Sequence, residues 1–335
     1  MLKSLRIWLS LWVLAATLLV QANAQTTTHA FLWSSKTGMQ DLGTLGGSSY
    51  AYGINDAGQV VGSYESGNTM RAFLWTKSGG MKDLGTLGGD YTAASGINSA
   101  GQVIGGASTA AGDVHAFLWT AASGMQDLGT LGGTFSDAAA INDRGDMTGT
   151  SSRAGDIRYL AYLQMPGKHM LGLGSLGSQY SYGYAINAAA TVVGASPLNK
   201  TLTPNRAFIR RKGSKMIDLG TLGGDNSAAF GINQAEQVVG WASTSGVFPN
   251  QAFLWTQSKG MQDLGTLGGQ NSTGLAINNK SQIVGFSDLS QTGVSHAVLW
   301  IKPNKIRDLG TLGGSTSTAQ AINGIGQVVG GSTLK

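Results

Sequence analysis

The sequence predicts an all-β fold, a seven-bladed β-propeller with four antiparallel strands in each blade. Three observations predict it. First, Asp-Leu-Gly-Thr-Leu-Gly-Gly or a worn copy of it begins at Asp41, Asp83, Asp127, Gly172, Asp218, Asp263 and Asp308, a period of roughly 44 residues that suits a blade repeat. Second, each period holds four segments of strand length, rich in β-branched and aromatic residues and bounded by Gly, Asn, Asp or Ser. Third, the Ala-Phe-Leu-Trp segment is apolar at consecutive positions, so its sheet needs cover on both faces. Blades packed around a ring supply that cover.

Residues 1–24 stand apart from the repeats. Lys3 and Arg6 precede an apolar run from Ile7 to Val20, and Ala22-Asn23-Ala24 supplies small residues of the type found at a cleavage site. The run is short for a membrane span. This segment reads as a secretory signal peptide cleaved near Ala24, which predicts an exported protein, periplasmic or extracellular, with no stable span after cleavage. Residues 25–335 then form one domain. The chain has no cysteine, so its fold must rest on its core without disulfides.

Within the first repeat the pieces are Ala30 to Trp33, Met39 to Gly43, a segment ending at Ile54-Asn55, and Gln59 to Gly62. Ala30 and Asp41 are 11 apart, Ile54 and Gly62 are 8 apart, and both intervals hold in all seven units. The stretch from Val-Val-Gly to the next Ala-Phe varies most, from 10 (Gly62 to Ala72) to 13 (Gly194 to Ala207). Asn55-Asp56-Ala57-Gly58 and Lys77-Ser78-Gly79-Gly80 are short enough for hairpin turns. Gly-Thr-Leu-Gly-Gly suits a connector from the outer edge of one blade to the inner strand of the next, its paired glycines passing close to the neighbouring blade.

That connection makes the Ile-Asn piece innermost, Gln-Val-Val-Gly second, Ala-Phe-Leu-Trp third and Asp-Leu-Gly outermost. The last blade is then assembled from both chain ends, with Ile322 to Gly331 inside and Ala30 to Gly43 outside. Such a two-plus-two join of N- and C-terminal strands leaves no open edge in the ring.

The repeated His-Ala-Phe at His29, His115 and His296, followed by Asp-Leu-Gly-Thr-Leu-Gly-Gly and Ile-Asn-x-x-Gly-Gln-Val-Val-Gly, resembles the HAF family of probable extracellular repeats. The resemblance spans residues 29–331. It implies export and repeated β architecture, and it brings no catalytic residues. The fourth unit departs most, with Tyr162 for Phe, Gln164 for Trp and Gly172 for Asp.

Only 12% of residues are charged, against roughly 25% in ordinary domains. Without Lys3 and Arg6, 20 of the 22 cations remain against 17 acids, and residues 153–215 hold nine of those cations and one acid, Asp156. Arg158, Lys200, Arg206, Arg210, Arg211 and Lys212 in this window, with Tyr159 and Tyr182 for stacking, predict a basic rim on the fourth and fifth units. Anionic polysaccharide or another envelope component is the expected partner. Nucleic acid is not, and the chain is expected to be a monomer.

The recurring Asp and Asn suit turn building, since each blade has them and a catalytic group is needed once. His29, His115 and His296 occupy one position on separate blades, too far apart to share a metal. No metal or cofactor is expected. For catalysis the candidates are Asp90, Asp137 and Asp225, read as facing the axis, where two carboxylates at suitable separation could hydrolyse a glycosidic bond. Nucleophile-elbow, zincin, phosphate-loop and calcium-loop patterns do not occur. The sequence thus favours a non-catalytic binding or cell-surface module over a glycan-directed hydrolase or a structural envelope repeat.

Overall fold

The computed structural model describes residues 27–200, 202–245, 250–290, 294–302 and 305–335. The expected signal peptide lies outside them. Strands β1 (Thr28–Ser34) and β2 (Gly38–Asp41) open the chain. Complete four-strand units follow: β3 (Ser49–Ile54), β4 (Val60–Ser66), β5 (Thr69–Thr76) and β6 (Gly80–Asp83), then β7 (Gly88–Ile97), β8 (Val103–Thr109), β9 (Val114–Thr120) and β10 (Gly124–Asp127). Next are β11 (Gly132–Ile141), β12 (Met147–Arg153), β13 (Tyr159–Gln164) and β14 (Leu171–Gly172), then β15 (Tyr182–Ile186), β16 (Val192–Pro197), β17 (Asn205–Arg210) and β18 (Ile217–Asp218). They are followed by β19 (Gly223–Ile232), β20 (Val238–Thr244), β21 (Asn250–Thr256) and β22 (Gly260–Asp263), and by β23 (Gly268–Ile277), β24 (Ile283–Leu289), β25 (Ser295–Lys302) and β26 (Lys305–Asp308). Strands β27 (Gly313–Ile322) and β28 (Val328–Leu334) end it. Among the described residues no helix is long and apolar enough to cross a membrane.

The fold is all-β and propeller-like. Five sheets have four antiparallel strands, in four of them in consecutive order. In the sixth, β7–β10 and β11–β14 are joined by one parallel bridge, Phe135 to Val114. In one four-stranded sheet β1 pairs with β28, Ala30 opposite Gly331, giving the order β2-β1-β28-β27. The chain's two ends therefore share a sheet.

The two glycines of Gly-Thr-Leu-Gly-Gly open the innermost strand in β7, β11, β19, β23 and β27. Their close neighbour is the second strand of the unit they lead into, which is the expected approach of the connector to the blade beside the one it leaves. A Cβ on Gly89 would lie 2.2 Å from Ser108 Oγ, and one on Gly224 2.3 Å from the Thr244 carbonyl oxygen. The glycine of Val-Val-Gly is tighter still. A Cβ on Gly62 or Gly240 would lie 1.9 Å from the carbonyl oxygen of Tyr50 or Ala228 on the paired inner strand. A register shift follows directly, between Ala51 and Gly53 and between Ala229 and Gly231. Only glycine lets the two backbones meet at this bulge.

Apolar residues on both faces of each sheet feed different cores. Phe31 and Trp33 join Val284, Ala297 and Leu299, whereas Ala30 joins Ala51, Val60 and Phe73 with Leu32 packed alongside. The same alternation builds a core between each pair of consecutive units, including the last and the first. Each buried Phe contributes about 2 kcal/mol or more of apolar burial that one isolated sheet could not provide.

Candidate functional site

The innermost strands are pinned at both ends. At the start, a Ser or Thr hydroxyl accepts the N–H of the third-strand Ala of the preceding unit, as Ser49 does from Ala30 and Ser181 from Ala161, at 2.8–3.0 Å in all seven cases. At the end, the Asn after Ile does two things. Its Oδ1 accepts N–H groups of its own turn, such as Gln59 N to Asn55 at 3.0 Å. Its Nδ2 donates to the carbonyl of the corresponding Asn in the next unit, from Asn55 to Asn98 onward and finally from Asn323 back to Asn55, at 3.0–3.3 Å. Own-turn bonding is the expected part. The link to the next unit was not foreseen, although an Asn in every repeat was its signal.

Side chains between these pins vary, and the aromatic ones gather there. Six of the nine tyrosines, Tyr50, Tyr52, Tyr91, Tyr180, Tyr182 and Tyr184, lie on or just before innermost strands. Tyr182 stacks on Tyr184 with ring centres 6.4 Å apart, and Tyr184 tilts against Phe230 at 5.1 Å. A second group runs from Phe135 to Tyr159 at 5.9 Å and on to Tyr180 at 6.2 Å. The innermost strands β3, β7, β11, β15, β19, β23 and β27 contain no Lys or Arg.

Asp137 is the acid in the middle of this set. It is half-buried on β11, and its Oδ1 accepts the Thr150 N–H at 2.9 Å. Burial pushes its carboxyl up to about 6, with the backbone hydrogen bonds opposing only part of the rise. Tyr91, Tyr162 and Tyr184 lie within electrostatic reach of it. Burial pushes the Tyr91 and Tyr182 hydroxyls up to about 12 and Tyr184 higher, so all stay neutral near pH 7. Opposite Asp137 stands Gly106, partly exposed, where an added Cβ would meet Val114 Cγ1 at 3.7 Å and Asp137 Cβ at 3.8 Å.

The other expected acids stand elsewhere. Asp90 and Asp225 are exposed at the starts of β7 and β19, near the variable loops. The Asp90 carbonyl oxygen accepts Thr69 Oγ1 at 3.0 Å. Neither is among the influences on the Asp137 carboxyl, so the three do not form a coupled pair of catalytic carboxylates.

The basic residues divide between opposite ends of the strands. Arg158, Lys200 and Arg206 belong to the variable-loop end. Arg210, Arg211 and Lys212 belong to the Asn-turn end, where Arg211 pairs with Glu236 at 2.6 Å and Lys212 Nζ lies 3.5 Å from Met165 Sδ. Tyr159 is buried in its stack, while Tyr182 belongs to the inner strands. The expected rim is therefore two separate surfaces, one partly neutralised. His29, His115 and His296 each bind the Asp of their own outer strand through Nδ1 at 2.8 Å. Among the described residues no group of three His, Cys, Asp or Glu could hold a metal ion.

No protein-family model matches the chain, and no curated protein does. Among solved structures, the propeller domain of the trilobed protease from Pyrococcus furiosus is 10% identical with a TM-score of 0.49, covering 77% of this chain and 82% of that one. TolB from Acinetobacter baumannii is 12% identical with a TM-score of 0.44, over 74% of this chain, which spans 65% of TolB. A gluconolactonase from Xanthomonas campestris is 10% identical with a TM-score of 0.42, over 94% of this chain and 99% of the other.

Proposed function

We propose that the protein is an exported, non-catalytic binding module of the HAF repeat type, built as a closed ring of seven blades, whose ligand surface is the aromatic set on the inner strands. The ring is supported by the cycle of Asn bonds that returns from Asn323 to Asn55 and by the core shared by the last and first units. The binding reading rests on one observation. The Tyr182, Tyr184 and Phe230 rings pack together, with Tyr184 within electrostatic reach of Asp137, on strands hydrogen-bonded to neighbouring units at both ends. Rigid aromatic faces bind sugars and other ring-bearing ligands at low entropic cost.

A glycan and envelope-component screen of the protein, repeated on two variants, tests this. A ligand that loses binding on Tyr184→Ala and keeps it on a triple change of Arg210, Arg211 and Lys212 to Ser supports the inner strands. The opposite pattern moves the site to the Asn-turn end and refutes the proposal.

A further inference from the structure

We infer that the niche between Asp137 and Gly106 binds the ammonium group of a small cationic ligand, whose carbon skeleton lies on the neighbouring tyrosine rings. This deepens the inner-strand reading and rests on it. The charge balance comes first. Inner strands without Lys or Arg offer an anion no partner, and their one mid-strand acid has no cation acting on it. The titratable groups within electrostatic reach of Asp137 are Tyr91 on β7, Tyr162 on β13 and Tyr184 on β15, all neutral. A half-buried carboxylate without a counter-charge is restored to its ionised form by an incoming cation.

Room is the second argument. In the corresponding place between the last and first units, an added Cβ on Gly331 would meet the Tyr50 ring at 3.3 Å, so a tyrosine covers that glycine. Over Gly106 the shorter Asp137 takes the tyrosine's place, and both residues remain partly exposed. The third argument is the aromatic surroundings. Ring faces attract ammonium groups, and no protein hydrogen bond influences the Tyr91, Tyr182 or Tyr184 hydroxyls.

The test uses three probes that share one ring and differ in charge: glucosamine, glucose and glucuronate, each titrated into the protein by calorimetry. At roughly pH 7.5, glucosamine should bind about tenfold more tightly than glucose, and glucuronate should not bind. Lowering the pH to roughly 5 should weaken glucosamine about tenfold, because protonation of Asp137 removes the counter-charge, and should leave glucose unchanged. Asp137→Asn keeps an acceptor for Thr150 and should erase the preference for glucosamine without lowering the melting temperature.

Equal binding of glucose and glucosamine, both lost on Tyr184→Ala, refutes the ammonium site and leaves the aromatic surface standing. Glucosamine binding indifferent to both substitutions refutes the two readings together. No heat from any probe at millimolar concentration refutes the ammonium site.

Discussion

Strands β11 and β15 share a backbone plan with β23 and β27, and the comparison separates framework from site. All four carry a Ser hydroxyl that accepts the preceding unit's N–H and an Asn that donates to the next unit's Asn. All four face a second-strand glycine at the bulge. Between these pins, β11 and β15 hold Asp137, Tyr182 and Tyr184, whereas β23 and β27 hold Thr273, Leu275, Thr318 and Gln320. Fold-making groups thus recur wherever a blade meets its neighbour. The residues that differ are free of that duty, which is why the rings and the carboxyl are the place to look for function.

The comparison can be broken most severely at the framework. Deleting residues 25–43 removes β1, a partner of β28, together with β2 beside it, and should cost several kcal/mol or cause association. A melting curve like the parent's would contradict the shared sheet. One step smaller, Asn278→Ala removes a buried donor to Asn323 and the acceptor of its own turn, at a cost of about 2–3 kcal/mol. Asn187→Ala in the aromatic half should cost a similar amount, read by chemical denaturation. A large difference would mean that the two halves do not share one framework.

The smallest effect belongs to the site and has the opposite sign. Folded Asp137 titrates near 6, and an unfolded Asp near about 3.9. Between those values the folded state binds more protons, so this group's contribution to stability falls as pH rises through the window and levels off above it. At neutral pH, Asp137→Asn should therefore raise stability by about 1–2 kcal/mol, discounted for partial exposure, and flatten the pH dependence between them. Denaturation midpoints across that range measure it. A destabilised variant would mean that the carboxylate is satisfied rather than strained.

Much of the strand order was legible because each repeat keeps its intervals. The Ile-Asn piece is the inner strand and Ala-Phe-Leu-Trp the third, as β3 and β5 illustrate. The paired glycines approach the unit they lead into, as read, because strand pairing seats them against its second strand. The basic cluster misled. Arg206 and Arg210 share β17, yet four steps along a strand separate them by about 13 Å and carry them toward opposite ends. Strand direction, counted through the repeat, would have parted them. Of the inner set, Asp137 and Tyr182 were named from sequence. Tyr91 and Phe230 were missed, although aromatic residues recur on the strand that ends at Ile-Asn.

The sequence by itself determined the repeat, its strand-length segments and the places where only Gly or Asn serves, because those depend on local backbone geometry that recurs with the motif. The tertiary structure alone decided which unit each Asn reaches, which surface each basic residue joins, and that Asp137 stands half-buried among rings without a counter-charge. Those are relations between strands distant in the chain. Pairing and burial fix them, and neither is written in the order of residues.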